Sequence, residues 1–172
     1  SPLVFAGAVS KQLLNAKGIL IGSHIKSIAQ ISDIGFDPSH INAKTLSRLN
    51  SSNFPVLTQE IEQKMKQEII LAKKDNDSVG GIIETAVINL PVGIGEPFFD
   101  SVESTLAHLI FSVPAVKGIE FGAGFEITKI RGSLANDPYY IDNGKIKTKL
   151  NNNGGINGGI SNGMPIIFRT AI

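Results

Sequence analysis

The chain has 172 residues, 42% of them hydrophobic and 18% charged, with a formal charge of +1. That length suffices for one domain with its own core, and the near-neutral balance does not suggest a nucleic-acid binder, which would need a strong basic excess or stripe. The absence of cysteine excludes disulfides, thiolate zinc sites, iron–sulfur clusters and a cysteine nucleophile.

Ser1-Pro2 reads as an N-cap and a first-turn proline. Leu3, Val4, Gly7, Ala8, Lys11 and Leu14 then trace a helix that stops at Gly18. Ile19, Ile21, Ser23, Ile25, Ser27, Ala29 and Ile31 alternate with the period of a half-buried strand, which puts His24 on its polar face. A second helix is expected over Thr58 to Lys74. Its apolar stripe is Ile61, Met65, Ile69 and Ala72, and Glu60, Lys64, Gln67 and Lys74 form a solvated face. Gly81 to Leu90 is an isoleucine- and valine-rich strand stopped by Pro91. Asp100, with Glu103 three residues on, forms a capping-box pattern for a third helix. Leu106, Leu109, Ile110 and Val113 give that helix its stripe, and Pro114 closes it. Strand patterns follow at Lys117–Phe121, Phe125–Arg131, Lys145–Leu150 and Pro165–Ala171. Strands and helices alternate only loosely, which favours α+β over a doubly wound α/β fold. No linker interrupts the chain, so residues 1–172 are one domain or a piece of one. No signal peptide opens it, and no apolar run approaches the ~20 residues that cross a bilayer. A soluble, cytoplasmic protein is expected.

Few segments carry a chemical signature. Gly93-Ile94-Gly95-Glu96-Pro97 lies between a strand and a helix, but Phe98 stands where a dinucleotide fingerprint needs its third glycine, and no P-loop lysine follows. The segment reads as a tight turn that aims the next helix. His24, His40 and His108 lack metal-ligand spacing, and each is expected at the surface or the edge of the core. No serine sits in a nucleophile elbow. In Asn151–Gly163, ten of thirteen residues are Asn or Gly. Such a run reaches positive φ freely, lets a ligand approach the main chain and can form an anion-binding nest, so ligand contact is favoured over a flexible hairpin linker. Arg131, Gly132 and Ser133 end a predicted strand, with Asn136 and Asp137 nearby, and either hold phosphate or fix a loop. The residues by themselves lead to an anion- or cofactor-binding α+β domain.

Several segments, in order along the chain, resemble those of chorismate synthases. They are Gly7-Ala8-Val9-Ser10-Lys11-Gln12, Leu90-Pro91-Val92-Gly93-Ile94-Gly95-Glu96-Pro97-Phe98-Phe99-Asp100, Ser112-Val113-Pro114-Ala115-Val116-Lys117-Gly118-Ile119-Glu120-Phe121-Gly122, Arg131-Gly132-Ser133 with Asn136-Asp137, and Gly158-Gly159-Ile160-Ser161-Asn162-Gly163. The resemblance implies a lyase that converts 5-enolpyruvylshikimate 3-phosphate to chorismate and phosphate by anti-1,4-elimination, the last step of the shikimate pathway. It implies reduced FMN as cofactor without net redox change, and a homotetramer of β-α-β sandwiches with helices between two largely antiparallel sheets. Carried over position by position, the flavin contacts fall on Pro114, Ala115 and Gly158, with Asn162 as a supporting loop residue. None of the family's acid/base histidines aligns with His24, His40 or His108, so no catalytic residue and no metal ligand is assigned. The family's N-terminal histidines, phosphate-binding arginines and Arg-x-Ser flavin contact have no counterpart here, nor does the later Lys-Pro-Thr-Ser. The chain is therefore expected to be a central-to-C-terminal fragment, inactive by itself, whose alternative role is a flavin- or anion-binding or oligomerisation module.

Overall fold

The structure, a computed structural model, describes residues 2–172, so the expected N-cap at Ser1 lies outside the described residues. Helix α1 (Pro2–Ala16) ends as its glycine foretells. Gly18 takes φ +78° and its N–H donates to Asn15 O at 2.9 Å, while Ile19 N–H donates to Leu14 O at 3.0 Å, a Schellman closure. Then come β1 (Leu20–Ile28), β2 (Ile31–Ser32), α2 (Ala43–Asn50), α3 (Gln59–Lys74) and β3 (Gly81–Ile88). The second half holds α4 (Val102–Ile110), β4 (Gly118–Phe121), α5 (Gly132–Ala135), β5 (Tyr139–Asp142), β6 (Lys145–Thr148), β7 (Ile156–Asn157), β8 (Ile160–Ser161) and β9 (Ile166–Ala171).

Five strands form one sheet in the order β2-β1-β3-β9-β4, and every pairing in it is antiparallel. This is an α+β architecture without the parallel crossovers of a doubly wound fold. Both faces of the sheet are covered. On one, Leu46 and Leu49 of α2 and Phe36 pack on Ala86, Ile88 and Ile167. On the other, Ile156, Ile166 and Phe168 meet Val102, Leu106 and Ile110. Met65 is the fully buried member of the predicted α3 stripe. No described helix is long and apolar enough to cross a membrane.

Four local expectations change. Residues 125–131 are not a strand: Gly124–Lys129 is a 3-10 turn, held by Phe125 N–H donating to the Glu120 carboxylate at 3.0 Å. The N-cap of α4 is Ser101, whose Oγ accepts from Ser104 N–H at 3.0 Å, because a 3-10 turn over Phe98–Asp100 takes up Asp100. Helix α2 was not anticipated; its N-cap, Asn42, accepts from Lys44 N–H, and only two of its eight residues are buried. The β5–β6 hairpin was seen only in its second strand. Its turn, Asn143-Gly144 with φ +49° and +75°, is the Asn-Gly pair that such hairpins favour.

Candidate functional site

The Asn/Gly-rich segment is an ordered, clamped structure and not a flexible linker. Strands β7 and β8 pair through the two-residue turn Gly158-Gly159, at φ +58° and +86°. Asp137, buried, accepts from Asn152 N–H at 2.8 Å and from Asn153 N–H and Nδ2 at 2.9 Å. Asn151, also buried, donates Nδ2 to Pro38 O and Pro165 O, and its Oδ1 accepts from Gly155 N–H at 2.7 Å. Of the two readings of residues 131–137, Asp137 therefore takes the loop-fixing one. Arg131 does not end a strand but precedes α5 as its N-cap residue and is exposed, as is Asn136.

The Gly93–Pro97 turn docks against this hairpin. Gly93 N–H donates to Ser161 O at 2.9 Å, Ser161 N–H to Ile94 O at 2.8 Å, and Val102 N–H, at the start of α4, to Gly159 O at 2.9 Å. A Cβ at Gly95 would overlap Gly159 O, and one at Gly159 would come within 2.7 Å of Ser101 Cβ. The turn does aim the helix, and it does so by backbone packed on backbone.

Gly158, unlike its neighbour Gly159, is not packed against another backbone. A Cβ built there meets nothing within 4 Å, so its peptide faces open space at the hairpin tip. Asn162 braces that hairpin: its Oδ1 accepts from Met164 N–H at 2.9 Å and its Nδ2 donates to Asn157 Oδ1 at 2.6 Å. Pro114 and Ala115 follow the other end of α4. Ala115 has φ +73° and borders a cavity of about 370 Å³ lined by Ser27, Ile28, Gly80, Gly81 and Ile83. Since Gly159 touches the N-terminus of α4, the nine residues of that helix, about 13 Å of rise, separate Gly158 from Pro114 and Ala115.

His40 and His108 are exposed, but His24 is not on a polar face: it is fully buried. The alternation holds from Ile19 to Ile25, after which a bulge before Ser27 and a turn at Ala29 (φ +48°) into β2 break it; the loop from Asp33 to Phe36 together with α2 covers the face that lacks isoleucines. His24 Nε2 lies 2.8 Å from Glu84 Oε2, and its ring meets Phe36 edge-on at 4.7 Å. His24 Nδ1 has no hydrogen-bond partner among the described residues, with Asp33 Oδ2 3.8 Å away.

This pair begins a row across the sheet. His24, Glu84, Arg169 and Glu120 are register partners on β1, β3, β9 and β4. Arg169 Nη1 stands 3.6 Å from Glu84 Oε1, its Nε donates to Glu120 Oε1 at 2.6 Å, and its Nη2 donates to Gly122 O at 2.6 Å. Burial alone would push Glu84 up. The hydrogen bond from His24, the N–H of Phe36 and the nearness of His24 and Arg169 outweigh it and hold the carboxyl below its ordinary range. Burial likewise acts to raise Asp33, while hydrogen bonds from the Thr58 hydroxyl and the N–H groups of Leu57, Thr58 and Ile34 bring it down. Sequence reasoning missed this row. Its signal was present as single charges inside apolar strands: Ile83-Glu84-Thr85, Ile119-Glu120-Phe121 and Phe168-Arg169-Thr170.

A family model described as chorismate synthase matches residues 1–172. The chorismate synthase of Pyrococcus abyssi is 44% identical over 170 residues, covering 98% of this chain and 46% of that protein. That of Methanobrevibacter smithii is 42% identical over 171 residues, covering 98% and 45%. A crystal structure of chorismate synthase matches with TM-score 0.85 and 32% identity, over 96% of this chain and 52% of that one. The likeness bears out the α+β fold class, and the chain spans about half the length of the curated relatives it matches.

Proposed function

The chain belongs to the chorismate synthase family, and on that premise we propose that it forms part of a lyase that converts 5-enolpyruvylshikimate 3-phosphate to chorismate and phosphate by anti-1,4-elimination. The observation that carries this reading in the fold is the clamped hairpin whose one open glycine, Gly158, belongs to the Gly-Gly-Ile-Ser-Asn-Gly motif. The fit to reduced FMN is a main-chain fit: Gly158 has positive φ and no Cβ, and Ala115 has positive φ beside a cavity. When bound, reduced FMN supplies an electron that the substrate takes up transiently and returns, so the overall reaction has no net redox change.

This chain's residues contribute position. Gly158 presents its peptide group at close range, Asn162 and Asp137 keep the hairpin from moving, and Pro114 and Ala115 present main chain at the far end of α4. An elimination that needs phosphate and ring proton on opposite faces gains from a loop already rigid before the substrate arrives. No side chain here is assigned a proton-transfer role. The separation of Gly158 from Pro114 and Ala115 fits a homotetramer in which one flavin takes these contacts from two copies of the chain. A cytoplasmic location belongs to the same reading.

The direct test is Gly158→Val in the intact protein, read by quenching of flavin fluorescence. A branched side chain at an open position of positive φ blocks the approach, and FMN affinity is expected to fall at least tenfold. Unchanged affinity with an unchanged thermal midpoint overturns the assignment.

A further inference from the structure

The charged row asks for an explanation that stability does not supply. Ions taken out of water lose hydration that their attraction barely returns, and apolar residues of the same volume often serve a fold as well or better. What an apolar set cannot do is point. Arg169 uses its planar fork for three directed contacts at once: Glu120, Gly122 O and, more distantly, Glu84. Nor does the row read as a subsite for a phosphate. Asp33, Glu84 and Glu120 outnumber the single guanidinium, and its Nε and Nη2 donors already serve protein acceptors.

The far end of the row reaches the Asn/Gly-rich loop. The carbonyl that Arg169 holds belongs to Gly122, whose N–H donates to Ile167 O at 2.9 Å. The next residue, Ala123, donates its N–H to Asn152 O at 2.7 Å. A Cβ at Gly122 would overlap Asn152 O and Gly154 N, so the two backbones lie in direct contact. A Cβ at Gly124 would overlap the Glu120 carboxylate, whose other role is to accept from Phe125 N–H. Glu84 and Arg169 also share a cavity of about 140 Å³ with Asn151 and Asn152. One end of the row is anchored under α2, and the other presses on the base of the hairpin that carries Gly158.

We propose that His24, Glu84, Arg169 and Glu120 are positioning residues: a buried charged strut that holds the Gly122–Gly124 turn, and through it the Asn151–Gly155 base of the hairpin, in the arrangement that presents Gly158. The role assigned to Gly158 rests on the flavin reading above; the mechanical link does not.

The experiment compares Arg169→Lys with wild type in the intact protein by amide hydrogen exchange and by FMN affinity. Lysine keeps the charge but has no fork, so it cannot make the contacts together. Exchange at Gly122, Ala123 and Gly155 is expected to rise at least tenfold while amides of the β1–β3 ladder change less than twofold, and FMN affinity is expected to fall at least fivefold. Should Arg169→Lys not fold, Glu120→Gln keeps the shape and one acceptor, and is expected to raise exchange at the same amides about threefold. Unchanged loop exchange, or a rise spread evenly over the sheet, overturns the strut. A loosened loop with unchanged FMN affinity overturns its bearing on the cofactor. If Gly158→Val is then silent too, the flavin reading has failed rather than the mechanical link.

Discussion

Glu84 is 2% exposed and sits mid-strand among isoleucines, yet its carboxyl is held below its ordinary range. In the unfolded chain a glutamate titrates near ~4.3, so below that pH the unfolded state binds more protons than the folded one. The stabilisation is therefore fully present above about pH 4.3 and is lost as pH falls through the lower folded value, with Asp33 adding in the same direction. Glu84→Gln leaves Arg169 short of a buried counter-charge and His24 Nε2 without its carboxylate partner, and is expected to lose about 3 kcal/mol at neutral pH. Urea unfolding across the acid range checks it: the wild type should weaken steeply on acidification and the variant less so. Equal acid slopes would show that Glu84 carries no folded-state shift.

At the scale of elements, the glycines divide into those that let backbones touch and those that stand clear. Gly122 and Gly158 have nearly the same dihedral, φ +56° and +58°, but only Gly122 is pressed on another strand of backbone. Alanine at either meets the left-handed penalty of about 1–2 kcal/mol. At Gly122 it must also displace Asn152, which adds about 1–3 kcal/mol of overpacking. Gly122→Ala is thus expected to destabilise by about 2–5 kcal/mol and Gly158→Ala by about 1–2 kcal/mol. Thermal and urea midpoints measured side by side decide it, and equal losses would mean that the hairpin is not seated as described. The same division shows why the turn at Gly95 and the hairpin at Gly159 act as one unit: Gly95 leaves room for Gly159 O, and Gly159 leaves room for Glu96 O and Ser101.

For the whole molecule, large apolar side chains stay exposed on α1 (Leu3, Val4 and Phe5) and on the β5–β6 hairpin (Tyr139, Ile141 and Ile146). Apolar surface of this kind is what an assembly covers, in keeping with the proposed homotetramer. If one flavin takes Gly158 from one copy and Ala115 from another, two defective variants can complement. Gly158→Val and Ala115→Leu, each impaired alone, are expected on co-expression to regain about a quarter of the wild-type sites, the share in which random mixing places the intact halves together. Mixed tetramers no more active than the two variants separately would place both contacts in the same copy's site.

Local chemistry determined much of this chain without help. The helix ending at Gly18, the strand ending before Pro91, the stripe of α3 and the β9 strand follow from caps, periodicity and proline, which act within a few residues. Motif resemblance carried the family, because Gly158–Gly163 and its companions are contiguous strings. Tertiary structure decided what depends on partners distant in sequence. Strand alternation showed that β1 has two faces, but only the arrival of α2 and Phe36 made the His24 face the deeper one. The Glu120 carboxylate turned a strand-like 125–131 into a 3-10 turn. Glu84, Arg169 and Glu120 were visible only as lone charges until antiparallel register set them beside His24, since register is fixed by the packing of whole strands and not by any one of them.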